Sequence, residues 1–431
     1  MAPRRKFYGW KLVAALFSLD FLNMGFPYFG GTVINTYMLR EIPMSRSTFG
    51  LGFTLVNLFI GLPSTIVAVA ILRWGLKATF AIGSALIFIG ALGLSLFATK
   101  PWHYLAGFGV IIAAGISFST LVPVTTAVTR WFRRYRGRAM AVPLSASGFA
   151  GFLGAPLLNK MLSANGSNWR QAWQVIAAIA LLSGIIAFLF VKERPEDLGQ
   201  PVDGIPPEPD ATGKTGAHAS DLTRVVSTRI TTHNWSPGEA YRTLTYWMIV
   251  IGGTACQFPY FLLIAHWILH LRGEGVSASD AAWAMGLLTL GGIVGRLIGG
   301  WLMDKITARY AFMLGLCCYV LGSALALQDG RALLSLVFAA SILYGVGFGW
   351  TFICMNTMTA HFYGSAAYPK LNGMMLLLTG LISSPAGLVG GVLFDRYRSY
   401  TPAFLLVIFV ALVGIVALRF AARPEPVPKR T

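Results

Sequence analysis

The chain has 431 residues, of which 55% are hydrophobic and 12% charged, about half the charged share of an ordinary soluble domain. A water-soluble globule of this make-up lacks the polar surface to cover itself, so the composition points to a protein whose solvent is lipid. The formal net charge of +18, from 34 Lys and Arg against 16 Asp and Glu, reads as nucleic-acid binding only if the cations cluster on one soluble face.

Met1 to Lys6 and the apolar run from Trp10 resemble a signal peptide, but the run is too long and has no small-residue cleavage site, so it is read as a retained first span. Windows of about 19 residues isolate twelve apolar segments, at 9–39, 48–72, 78–98, 103–129, 139–161, 171–191, 243–270, 279–303, 310–327, 332–360, 371–394 and 401–421. Each is expected to be a helix, because lipid offers the backbone no hydrogen-bond partner. The polar stretch between the sixth and seventh, rich in Pro, Gly, Asp and Thr, has the make-up of a flexible linker. The expected architecture is an all-α membrane protein of twelve transmembrane helices. A six-helix bundle at 1–191, a cytoplasmic linker at 192–242 and a second six-helix bundle at 243–431 form two pseudo-symmetric halves.

The cations sort by side. With the N-terminus inside, 24 of the 34 Lys and Arg fall in inner segments and nine in outer loops, which leaves Arg296 alone within a span. The positive-inside rule then places both termini and the linker in the cytoplasm, as expected for a multi-pass protein of the cell inner (plasma) membrane. Most of the net charge is topology and contact with anionic lipid, with no nucleic acid required. Cys256, Cys317, Cys318 and Cys354 sit in apolar runs without metal-ligand spacing, so neither a metal nor a disulfide framework is expected. No cofactor motif is present. Without a nucleophile elbow, HExxH, phosphate-cradling loop or paired carboxylates in a span, an enzyme is not expected.

Asp20 is the acid that lies deep in a span and Arg296 the base. Intramembrane charges are costly and face the bundle interior or a water-filled cavity. The Arg296 guanidinium is a planar fork that matches a carboxylate, and Gly292, Gly295, Gly299 and Gly300 leave room beside it for a neighbouring helix or a ligand. The other reading is a structural arginine paired to Asp20 or to carbonyls. Asp20 is either a proton carrier, freed when an anion arrives at Arg296, or a helix–helix hydrogen-bonding group. His266 and His270, one turn apart, are a proton or metal site, or ordinary interfacial histidines.

Leu72-Arg73-Trp74-Gly75-Leu76-Lys77 after the second span and Asp304-Lys305-Ile306-Thr307-Ala308-Arg309 after the eighth occupy corresponding places in the two halves, as duplication of a six-span unit predicts. With Gly300 before it, the second copy resembles the Gly-x-x-x-Asp-(Arg/Lys)-x-Gly-x-(Lys/Arg) loop motif of the major facilitator superfamily. Gating roles are thereby implied for Asp304, Lys305 and Arg309, and for Arg73 and Lys77 in the first copy, where Leu72 replaces the acid. Arg130-Trp131-Phe132 with Arg136-Gly137-Arg138-Ala139, Asn168-Trp169-Arg170-Gln171-Ala172-Trp173 and Arg194-Pro195-Glu196-Asp197-Leu198-Gly199 resemble bacterial members of the monocarboxylate transporter and oxalate:formate antiporter branch.

That resemblance implies a span-eight arginine, here Arg296, for an organic-acid substrate. Animal members carry a lysine where Tyr28 follows Phe26-Pro27, and an acid where Gly292 stands, so their proton relay does not transfer. Oxalate transporters carry a second cation where Thr379 lies, which favours a monocarboxylate here. Further lining candidates are Asn23, Gln257 and Asn356, with Tyr344 and Phe348 as an aromatic wall for the acid's apolar part. Gly148, Gly151, Gly154 and Pro156 resemble a facilitator-antiporter segment, or serve close helix packing. The expected function is proton-coupled symport of a small carboxylate by alternating access, in a protein functional as a monomer. Anion exchange, drug/proton antiport and a membrane carboxylate sensor are the alternatives.

Overall fold

The computed structural model describes residues 7–205, 235–328 and 334–424. Helices account for nearly all of them, and eleven are long and apolar enough to cross a membrane. The spans are α1 (Gly9–Glu41), α2 (46–74), α3 (76–97), α4 (Pro101–Trp131), α5 (Arg136–Ala164), α6 (Trp169–Phe190), α7 (Leu244–Gly273), α8 (Ala278–Lys305), α9 (Ala308–Ala326), α10 (Leu334–Gly364), α11 (365–397) and α12 (Thr401–Phe420). The apolar segment at 48–72 is the one not covered by those eleven helices, because its helix is interrupted part-way. α2 runs from Arg46 to Gly61, is interrupted at Leu62-Pro63 and resumes at Ser64. α11 breaks in the same way at Ser384-Pro385. Proline removes a backbone donor and crowds the preceding turn, which accounts for both interruptions.

Local chemistry sets the other boundaries. Ser45, Asn168, Thr243 and Ser277 begin α2, α6, α7 and α8 with side-chain oxygens that accept backbone N–H groups of the first turn. Gly75 (φ +82°) and Gly364 (φ +77°) reverse the chain in a left-handed conformation where α2 meets α3 and α10 meets α11. Residues 21–30 of α1 widen into a π-helical stretch directly after Asp20, with Pro27 inside it. Such wide turns occur often at functional sites.

The chain start, the segment after α6 and the end of α12 share one face, here termed inner. The Tyr8 N–H donates to Gln200 Oε1, and Thr245 Oγ1 donates to the Ala422 carbonyl. The six spans before the linker and the six after it meet along two seams, α5 on α8 and α2 on α11. Glycines allow both approaches. A Cβ on Gly148 would lie 2.6 Å from Ile293, one on Gly151 2.6 Å from Thr289, and one on Gly50 would collide with the Gly387 carbonyl. In lipid, where burial of apolar surface drives no helix association, this close van der Waals fit is what holds helices together.

Candidate functional site

Arg296 sits on α8 with α10 against one side. A Cβ on Gly299 would fall 2.8 Å from Trp350, and one on Gly295 would overlap the Val346 carbonyl, whereas Gly300 faces open space. Of the glycines around the arginine, most therefore admit a neighbouring helix, and Gly300 leaves room. On the other side α5 is wedged between α1 and α8. Gly154 lies near the Gly25 carbonyl, and a Cβ on Gly25 would overlap that of Ala150. Through α5, Asp20 and Arg296 come into each other's field, although they lie on the first and eighth spans.

Asp20 is 5% exposed and faces the Ser147 backbone of α5. Among the described residues, no carboxylate lies within ion-pair distance of Arg296. Its Nε is buried without a hydrogen-bond partner, as are both side-chain amide atoms of Asn23, one turn beyond Asp20. Buried polar groups are almost always paired.

Aromatic rings stand close by. Tyr260 of α7 lies in the field of Arg296 and stacks on Phe348 of α10, with centroids 3.7 Å apart and planes at 9°. Tyr28 interacts electrostatically with Tyr260 and donates its hydroxyl to Asn57 Oδ1 at 3.1 Å. Tyr344 goes elsewhere: it donates to Ser323 Oγ on α9 at 3.1 Å and packs against Trp267. Tyr344 and Phe348 therefore do not form one wall; the ring facing Phe348 is Tyr260. Gln257 and Thr379 are brought together by a 2.8 Å hydrogen bond from Nε2 to Oγ1, and the Asn356 amide donates to the Phe352 carbonyl of its own helix at 2.7 Å.

Above this group the outer seam is closed by contacts that sequence reasoning did not foresee. The Asp395 carboxylate of α11 accepts the backbone N–H groups of Arg46 (3.0 Å) and Ser47 (2.8 Å) at the start of α2. A carboxylate at a helix N-terminus is favoured by the unpaired amides there and by the helix dipole. The Leu388 N–H donates to Thr54 Oγ1 at 3.1 Å. His266 is 2% exposed; its Nε2 lies 2.7 Å from the Gly387 carbonyl and its Nδ1 3.1 Å from the Tyr400 hydroxyl. It is thus built into the packed seam, whereas His270 forms a 3.9 Å contact with Glu274, just past the end of its own helix.

The family profile of the Major Facilitator Superfamily matches residues 13–367 and 249–431. The chain belongs to this superfamily. It is 26% identical over 418 residues to bovine monocarboxylate transporter 13, covering 94% of this chain and 88% of that one. To human monocarboxylate transporter 11 it is 24% identical over 345 residues, covering 78% and 66%. Among solved structures, a bacterial homologue of the human lysosomal transporter Spinster, described as inward-facing and unoccupied, superimposes with TM-score 0.74 at 17% identity, covering 98% of this chain and all of that one. The resemblance to the monocarboxylate transporter branch of the superfamily therefore holds.

The facilitator loop motifs have concrete positions on the inner face. Where the first copy has Leu72 in place of its acid, Glu193 from beyond α6 stands beside the loop. It accepts the Lys77 N–H at 3.0 Å and pairs with Arg130 at 2.9 Å, and a Cβ on Gly75 would meet it at 2.6 Å. The Arg130-Trp131 motif continues the clasp. Trp131 Nε1 donates to the Lys192 carbonyl, and the N–H groups of Arg133, Arg134 and Tyr135 converge on Asp203. Lys77 Nζ lies over the Phe188 ring and Arg73 is exposed. In the second copy, Lys305 and Arg309 lie over the rings of Trp301 and Tyr310, at 3.8 and 4.7 Å; the Asp304 side chain lies outside the described residues. The outer Trp169-Arg170 motif is a clamp on Glu41, with Trp169 Nε1 at 2.7 Å and Arg170 Nη2 at 2.5 Å. Replacing Glu193 by Ala is expected to lower stability by about 1–2 kcal/mol, since the pair is partly buried and a helix N–H loses its acceptor. Thermal unfolding followed by tryptophan fluorescence checks this; an unchanged Tm would leave the clasp without weight.

Proposed function

We propose that this facilitator carries a small organic monocarboxylate by alternating access between its two halves, with Arg296 as the anion site. The supporting observation is the buried, unpaired Nε of an intramembrane arginine that, among the described residues, has no carboxylate in ion-pair range. In low dielectric a guanidinium without a counter-ion is costly, and a substrate carboxylate fits both its charge and its fork geometry. The Tyr260–Phe348 stack supplies an apolar surface for the rest of the acid, with Asn23 and the Tyr28 hydroxyl as polar neighbours. Gln257, Thr379 and Asn356 already bond one another or their own backbone and rank behind these. The names of the relatives favour the same substrate class.

Asp20 is the proton carrier in this reading. It shares the field of Arg296, so binding of a substrate anion there screens the guanidinium and lets Asp20 take up a proton, which couples the two ligands in symport. Both termini and the linker lie in the cytoplasm, the protein resides in the plasma membrane, and one chain suffices for transport. Neither enzymatic nor purely sensory activity is required of any residue. Uptake of a panel of labelled acids into proteoliposomes, with and without an inward proton gradient, tests the assignment. Acceleration by the gradient is expected; counterflow insensitive to it indicates exchange instead. Asp20→Asn is expected to abolish gradient-driven accumulation while counterflow persists. Retained accumulation in that variant removes Asp20 from the coupling.

A further inference from the structure

A cavity of about 290 Å³ lies on the outer side between the halves, near the lower end of small-molecule site sizes. Three arginines line it, Arg40 of α1 and Arg46 of α2 from before the linker and Arg272 of α7 from after it, together with Tyr37 and Asn159. Among the described residues, no carboxylate lines it and none lies within ion-pair distance of the three. The acids nearest in sequence to the lining are engaged elsewhere: Glu41 holds Trp169 and Arg170, Asp395 holds the amides that open α2, Asp280 accepts from the Ser277 hydroxyl and Glu274 lies 3.9 Å from His270. Arg40 and Arg46 rest over the rings of Tyr37 and Phe394, at 4.9 and 5.4 Å, and Arg272 Nη1 donates to the Val276 carbonyl at 2.9 Å. Three like charges around one cavity repel each other, and a small anion among them relieves that repulsion.

We propose that this cavity is a second anion site, distinct from Arg296, which takes a small monovalent anion and braces the outer side shut. The bracing follows from the origin of the three ligands. They come from both halves and converge only while the outer seam is closed, so an anion that needs all three binds that state preferentially and shifts the population toward it.

The test uses the full-length Arg296→Gln protein, which removes the central site and makes the result independent of the transport reading. In detergent, sodium acetate is expected to raise the Tm of R296Q saturably, and the rise should vanish when Arg40→Gln and Arg272→Gln are added. Both positions are exposed, so the added changes leave folding intact, as an unaltered size-exclusion profile would verify. A sodium chloride arm identifies the source of the anion: an equal rise assigns a halide and a smaller one a carboxylate, and both support the site. In right-side-out vesicles, acetate should slow labelling of an Asn57→Cys cysteine by an external impermeant maleimide at least about threefold in R296Q, and not in R40Q/R272Q/R296Q. An absent Tm rise, or one of equal size in the triple variant, overturns the site. Labelling unaffected by acetate overturns the bracing.

Discussion

Arg296→Ala is expected to abolish uptake of carboxylates while the protein still reaches the membrane. The guanidinium is the one cation deep within its span, and a bidentate carboxylate pair rests on two charge-assisted hydrogen bonds of about 1.5–3 kcal/mol each. Their loss corresponds to roughly a hundredfold or more in binding. Arg296→Lys should fare little better, since a single ammonium on a flexible stem cannot present two parallel donors. Labelled-acid uptake normalised to surface expression measures both. Normal uptake by the Ala variant would sink the central anion site, since no other described cation shares this group with Asp20 and Tyr260.

The second large effect is expected at the outer seam, where Asp395→Ala removes the acceptor of two N–H groups at the start of α2. The carboxylate is partly exposed, so the net loss is taken as about 2 kcal/mol, or roughly a 30-fold shift toward the outward-open state. Gly50→Ala attacks the same contact sterically, because its Cβ would overlap the Gly387 carbonyl. The expected result for each is faster labelling of an Asn57→Cys cysteine from outside, in a background lacking the four native cysteines. Asp395→Glu, with its reach restored, should recover slow labelling. Unchanged labelling in D395A would mean that packing alone holds the seam.

Much of this molecule is legible in one dimension because lipid imposes simple rules. A window of hydropathy locates spans, the side preference of Lys and Arg orients them, and the cost of intramembrane charge singles out Asp20 and Arg296. The split of α2 at Leu62-Pro63 is harder to read, since hydropathy averages over a break that only backbone hydrogen bonding registers. Tyr344 and Phe348 illustrate the limit of helical spacing. They stand one turn apart, yet α9 captures the first through Ser323 and α7 the second through Tyr260. Leu72 teaches the same lesson in reverse, because the acid missing from its motif has a counterpart in Glu193, remote in sequence and adjacent in space.

The sequence by itself determined the solvent, the spans, the superfamily and the two charges that escape sorting, because each depends on composition or on short-range pattern. Only the tertiary structure decided which residues stand beside those charges and what shuts the outer side. Asp395 on the Arg46 and Ser47 amides and His266 on the Gly387 carbonyl are contacts between distant spans, and Arg272 and Arg40, from distant spans too, line one cavity. Their physical basis is the glycine-permitted approach of one helix to another, and that depends on which faces meet, which no local pattern encodes.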